Sequence, residues 1–234
     1  MTGRLRRDGL LAAALAGAYG AFALTFRGPR ERFWQRMTAT GASLGTLALV
    51  AEPELRGTRI GRRDVALGLA SAAGLYGIFR LGDRLARRLL AQGGDEIESI
   101  YELRSLRSRG EIAGRLAAVI APAEELFWRG LVQRRLAGRL GTWRGAAAAA
   151  AAYGGAHVVT GNLTLVGAAA TAGGYWSALA AAGMPMGALV VSHVAWDIWI
   201  FLVAPTGAGT TATPSGTPAD AQPASATTAR MSSP

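Results

Sequence analysis

Apolar residues dominate seven stretches of the chain, at roughly 9–26, 37–51, 64–79, 112–133, 145–160, 162–182 and 186–204. About 20 apolar residues make a straight helical crossing of a bilayer, and shorter runs are accommodated by tilt or local thinning. The seven stretches therefore predict transmembrane helices, with 37–51 carrying the weakest signal. Alanine and glycine supply much of the apolar character, which keeps each hydropathy signal moderate. Small residues suit closely packed membrane helices, and Gly41-xxx-Gly45 and Gly183-xxx-Gly187 have the spacing for it. A chain with 32 glycines also produces such pairs by chance.

Between the third and fourth stretches lies a charged segment, 80–111. Its Leu81, Leu85 and Leu89, then Ile97, Ile100 and Tyr101, recur at helical spacing, with Gly93-Gly94 between the two sets. This predicts two amphipathic helices, either lying on the membrane face or forming a cytoplasmic hairpin. From Pro205 onward the chain is Thr, Pro, Ser, Ala and Gly with almost no large apolar residue, which predicts a disordered tail. These patterns together predict an all-α fold class: a polytopic transmembrane helical bundle of about seven spans, with amphipathic interfacial helices and a disordered C-terminal tail.

Composition supports a membrane protein over a soluble enzyme: half of the residues are hydrophobic, 17% are charged, and mean hydropathy is positive. The net charge of +10 comes entirely from arginine, because lysine is absent. Basic excess can signal nucleic acid. Here the arginines sit between apolar stretches, the pattern of loops flanking a membrane, so no nucleic-acid partner is expected. Absence of cysteine removes disulfides, thiolate metal sites and a cysteine nucleophile. Residues 1–26 have the arginine-then-apolar order of a signal peptide. Because more apolar stretches come after them, they read as a retained first transmembrane helix. Arginines in the N-terminus and in the 133–144 loop place both on the cytoplasmic side, which seven spans allow. The arginine-rich 27–36 loop then falls on the wrong side, a conflict removed if the early count is off by one and the spans number eight.

The chemistry-bearing groups gather in the second half. In Ala123-Glu124-Glu125-Leu126-Phe127-Trp128-Arg129 two carboxylates and an arginine stand in an apolar segment just after Pro122. Such groups are costly there unless they pair or do chemistry. On a helix Glu125 and Arg129 are i and i+4 and share a face, so they can form an ion pair. Glu124 points about 100° away from Glu125 and is free to face a cavity. Pro122 removes a backbone donor and can kink or open the helix. A helix end at the membrane interface is the alternative origin of these charges.

The chain's two histidines lie downstream. Tyr153-Gly154-Gly155-Ala156-His157 sets an aromatic ring one turn before a histidine, with glycines that permit close approach. His157 could equally be a hydrogen-bonded packing residue. In His193-Val194-Ala195-Trp196-Asp197 the histidine and aspartate share one helical face, so both can point into one cavity. A buried pair locking two helices is the alternative. Taken together, a glutamate and two histidines are a plausible set for a divalent metal such as zinc, held by Glu124, His157 and His193, or for a directly activated water. No serine, threonine or cysteine stands in a recognisable nucleophile motif, and Ser192 points away from its neighbour His193. Attack by water is the expected chemistry.

Glu-Glu-x-x-x-Arg, then aromatic-x-x-x-His, then His-x-x-x-Asp resembles the CAAX protease and bacteriocin-processing (CPBP, or Abi) family of intramembrane endopeptidases. These are related to the CAAX prenyl protease 2 and lysostaphin resistance protein A-like proteins. The wording at 124–131, Glu-Glu-Leu-Phe-Trp-Arg-Gly-Leu, is especially similar to the family's first motif. The resemblance covers about 110–204, and it divides the chain into N-terminal helices with an amphipathic linker (1–110), a protease core (111–204) and the tail (205–234). It implies that Glu124 activates water, that His157 assists as metal ligand or hydrogen-bond partner, and that His193 and Asp197 complete the site. Glu125, Arg129 and Tyr153 would support its geometry. Where the family often has Phe, this chain has Tyr153. Where it often has Asn, this chain has Asp197, which tilts that position from oxyanion donation toward an orienting or metal-linked role.

The expected protein is a hydrolase of peptide bonds acting on membrane-associated proteins or peptides, by CAAX-type processing or in bacteriocin maturation or immunity. All-arginine, Ala/Gly-rich usage fits a GC-rich bacterial genome, hence a bacterial plasma membrane. Two rivals are a non-catalytic immunity or scaffold member of the same family, and a small transporter with Glu124, His157, His193 and Asp197 as proton relay.

Overall fold

The computed structural model describes residues 2–89 and 101–204, and no β-strand occurs among them. The helices are α1 (Thr2–Arg27), α2 (Phe33–Ala51), α3 (Arg62–Leu89), α4 (109–140), α5 (Thr142–Ala156), α6 (Leu163–Ala181) and α7 (Met186–Ile198, continued as a π turn through Trp199–Val203). One helix thus occupies each of the seven apolar stretches, including 37–51. Three of them hold a segment long and apolar enough to cross a membrane on its own: Gly9–Arg27, Arg62–Gly82 and Met186–Val203. The others fall short for local reasons. At 15 residues α5 is brief, while α2 carries Arg36 and several Thr, Ser and Gly residues within its 19.

One expectation needs correction. Helix α3 runs unbroken to Leu89, so the first expected amphipathic helix is its extension rather than a separate element. Gly82 is the sole breaker there, and a single helical glycine costs only about 1 kcal/mol relative to alanine. The second expected helix falls partly at 90–100, outside the described residues, as does the tail at 205–234. The adjoining segment Glu102–Leu106 is a 3-10 turn.

Small residues set the helix spacing. At Gly45 a Cβ would lie 2.8 Å from Ala123 Cβ, and at Gly41 3.4 Å from Ile120 Cα, so this glycine pair is the α2–α4 seam. Gly183 instead has φ of +90° in the turn before α7, a left-handed conformation that glycine reaches without strain. The Gly183-xxx-Gly187 spacing is therefore no helix seam. A buried Thr25–Thr40 hydroxyl contact of 2.9 Å joins α1 to α2.

Successive helices alternate in direction. At one end Arg135 Nε donates to Glu52 Oε1 at 2.7 Å, tying the end of α4 to the turn after α2. At the other, Arg30 meets Glu102 at 2.9 Å, and Arg27 Nε donates to the Val159 carbonyl at 3.1 Å. Exposed arginines occur at both ends, with Arg56, Arg59, Arg62 and Arg63 at the first and Arg30 and Arg32 at the second. The topological conflict in the arginine pattern is thus a property of the folded protein.

Candidate active site

Helix α4 departs from α-helical hydrogen bonding around the motif. π-helical turns at Leu116–Ile120 and Leu126–Gln133 bracket a short α segment, Ala121–Glu125. Pro122, second in that segment, lacks the N–H that a regular ladder would require. Wide turns of this kind often accompany functional sites, because they re-aim side chains that a straight helix would fix.

The two acids diverge. Glu125 is fully buried and pairs with Arg129 Nη1 at 2.9 Å. The same carboxylate oxygen accepts from His193 Nδ1 at 2.7 Å. Glu124, 4% exposed, turns toward a different partner: Tyr153 of α5 donates its hydroxyl to Glu124 Oε2 at 3.0 Å. Arg129 also donates from Nη2 to the Gly173 carbonyl of α6 at 3.0 Å. Its guanidinium sits 4.9 Å from the Tyr153 ring centre and 5.4 Å from that of Trp176, cation–π distances that further fix it.

His157 caps the C-terminus of α5. Its Nδ1 lies 2.9 Å from the Tyr153 carbonyl, and since a carbonyl only accepts, Nδ1 carries the proton and Nε2 of the neutral ring is the acceptor. Phe22 packs against the ring, 5.2 Å between centres. His193 stacks on Trp176 at 4.0 Å and 24°, and its Nε2 faces Asp197 Oδ1 at 3.6 Å, beyond hydrogen-bond length. Each ring nitrogen of His193 therefore faces a carboxylate.

Glu124, Tyr153, His157, His193 and Asp197 all line one cavity of about 670 Å³. Its other walls are largely apolar and aromatic, with Phe26, Trp34, Phe79, Trp176, Trp196 and Phe201 among them. That volume and character, with a few convergent polar groups, match ligand and active-site cavities in general (about 300–1,000 Å³). Among the described residues no group of three His, Asp or Glu side chains is placed to hold an ion. Tyr153 takes Glu124 Oε2 and Glu125 takes His193 Nδ1, which leaves Glu124 Oε1 and His157 Nε2 without a protein partner among the described residues at the cavity.

Sequence spacing anticipated the Glu125–Arg129 brace and the free Glu124. It missed α6, whose Gly173 carbonyl and Trp176 ring complete the surroundings of Arg129 and His193. It also missed the Glu125–His193 bond, which joins residues 68 positions apart. Ser192 does point away from the cavity cluster, accepting from Trp176 Nε1 at 3.0 Å and meeting Ser71 Oγ at 2.9 Å. Trp176, an aromatic residue in the stretch that offered no acid or base, was the available clue. Packing at Gly173 is tight, because a Cβ there would lie 2.5 Å from Tyr153 Cδ1. Gly173→Ala is expected to push Tyr153 off Glu124 at an overpacking cost of about 1–3 kcal/mol, seen as a lowered unfolding midpoint in detergent.

The fold and this cluster define a class: a helical integral membrane protein with a buried carboxylate–histidine centre facing an apolar cavity. Residues 112–199 match a protein-family model, described as Type II CAAX prenyl endopeptidase Rce1-like. That segment, which holds every residue of the cluster, belongs to the CAAX protease and bacteriocin-processing family, a family of proteases. No curated protein and no solved structure matches the chain.

Proposed function

We propose that the protein is an intramembrane endopeptidase that hydrolyses peptide bonds of membrane-associated proteins or peptides with a water activated by Glu124. The observation that carries this reading is the convergence of Glu124, His157, His193 and Asp197, from α4, α5 and α7, on one cavity. In the proposed reaction Glu124 takes a proton from water as the water oxygen bonds to the scissile carbonyl carbon. The tetrahedral intermediate then collapses, the C–N bond breaks, and Glu124 returns the proton to the leaving amine. Tyr153 holds the carboxylate through Oε2, leaving Oε1 as the oxygen assigned to the water. His157 Nε2 accepts from the same water. His193, held by Glu125 and flanked by Asp197, lies on the substrate side, where charge develops on the carbonyl oxygen. No step of this reaction is routed through a metal ion.

The aromatic walls fit large apolar side chains or a lipid-modified residue beside the scissile bond, consistent with CAAX-type processing or bacteriocin maturation or immunity in a bacterial plasma membrane. Purified protein in nanodiscs, given quenched fluorescent peptides with apolar residues flanking the bond, should release fluorescence with a defined cleavage site. Tyr153→Phe keeps the ring and removes one neutral donor worth about 0.5–1.5 kcal/mol. Its kcat is expected to fall about two- to tenfold with KM unchanged. A large rise in KM instead would assign Tyr153 to substrate binding.

A further inference from the structure

A second concavity, of about 650 Å³, lies on the far side of α4 and α7 from the catalytic cavity. The same helices wall both. Helix α4 turns Ile120 and Glu124 to the first and Pro122 and Leu126 to the second, while α7 turns His193 and Asp197 to one and Val190 and Val194 to the other. Leu49, Ile60 and Leu69 close the groove from α2, the loop after it and α3. Its lining is apolar save for Thr58 and one charged side chain, Arg56.

Position adds to that chemistry. Two of the candidate spans, Arg62–Gly82 and Met186–Val203, supply walls of the groove, so its surroundings in the membrane are hydrocarbon. Arg56 belongs to the 3-10 turn Pro53–Gly57, and Thr58 comes directly after it, a few residues before the first of those spans begins. Both therefore sit at the boundary where lipid phosphates lie. Arg56 Nε donates to the Leu49 carbonyl at 3.1 Å, which fixes the side chain at the mouth. The neighbouring acids are engaged elsewhere, Glu52 with Arg135 at 2.7 Å and Glu54 with Arg134. Arg59, Arg62 and Arg63, all exposed, continue the positive rim.

We propose that this groove binds an anionic glycerophospholipid, with an acyl chain laid along the apolar walls and the phosphate set against Arg56. A free phosphate would have no use for the apolar length of the groove, and a net-neutral lipid brings no net negative charge to Arg56 and the positive rim beside it.

The test is native mass spectrometry of the delipidated full chain with equimolar phosphatidylglycerol and phosphatidylcholine of matched acyl chains. The first lipid retained should be phosphatidylglycerol by about fivefold, the preference that one arginine gives an anionic headgroup. Arg56→Gln should bring that ratio to about one while a lipid is still retained. Arg32→Gln removes the same charge at the opposite end and should leave the ratio unchanged. Ala117→Phe, which fills the groove from an exposed position on its wall, should abolish tight retention of either lipid. Equal retention of the two lipids by the wild type, or a preference that survives Arg56→Gln, overturns the assignment. Displacement of the lipid by millimolar inorganic phosphate alone would reduce the site to an anion site and overturn it as well. Binding is read without proteolysis, so the result stands apart from the catalytic reading.

Discussion

Glu124→Gln is expected to lower kcat for peptide cleavage by about 10²–10⁴, the range for loss of a positioned general base, with KM little changed. The substitution is nearly isosteric, and the amide oxygen can still accept from Tyr153, whose hydroxyl lies 3.0 Å from Glu124 Oε2 in the native site. Folding and the cavity should therefore survive, and an unchanged unfolding midpoint in detergent would show it. What the amide cannot do is take a proton from water. Because the interaction lost is one made in the transition state, kcat and kcat/KM should fall together. Cleavage within about tenfold of wild type would remove Glu124 from the reaction. If the wild type cleaves no peptide and Glu124→Ala leaves the cellular phenotype unchanged, the non-catalytic immunity or scaffold reading replaces the enzyme. Proton-coupled flux in liposomes without proteolysis would favour the transporter.

Much of this site is written in local spacing, and that part was legible. Glu125 and Arg129 meet because they are one helical turn apart, so the 2.9 Å pair results from helix geometry once the segment is helical. The same geometry separates Glu124, which turns to Tyr153 and the cavity. His193 and Asp197 likewise share a face and a cavity. Contacts across the bundle were not legible. Tyr153 reaching Glu124, His193 reaching Glu125 and Arg129 reaching the Gly173 carbonyl depend on which helices pack together and at what depth. A periodic pattern identifies a face without naming its partner. Spacing likewise treated Glu124 and His193 as neighbours on one cavity, and did not show that packing gives His193 Nδ1 to Glu125. At the level of the fold, all seven apolar stretches became helices. The amphipathic helix expected after Phe79 merged into α3, because nothing near 80–89 stops a helix. The π turns around Pro122 had no sequence signal beyond the proline itself.

Arg129→Met should produce the largest loss of stability of any single change in the site. Both members of the ion pair are out of solvent, with side-chain exposures of 1% for Arg129 and 0% for Glu125. Removing one partner of a buried pair leaves an uncompensated charge and costs about 3–5 kcal/mol. The pair has little slack to absorb the change, since Glu125 Oε2 and Arg129 Nε already have no hydrogen-bond partner among the described residues. Methionine retains most of the aliphatic stem, so the loss reports on the guanidinium: its bonds to Glu125 and to the Gly173 carbonyl, and its contacts with the Tyr153 and Trp176 rings. Denaturant unfolding in mixed micelles gives the energy. Adding Glu125→Gln to Arg129→Met removes the stranded charge and should restore part of the stability. Activity should stay low in that double variant, because His193 loses the carboxylate that its Nδ1 meets at 2.7 Å. Recovery of stability without recovery of cleavage separates the brace from the chemistry. A loss below about 1 kcal/mol for Arg129→Met, the value of a solvent-exposed pair, would mean that water reaches Arg129 and that the site is not the dry, braced centre its burial describes.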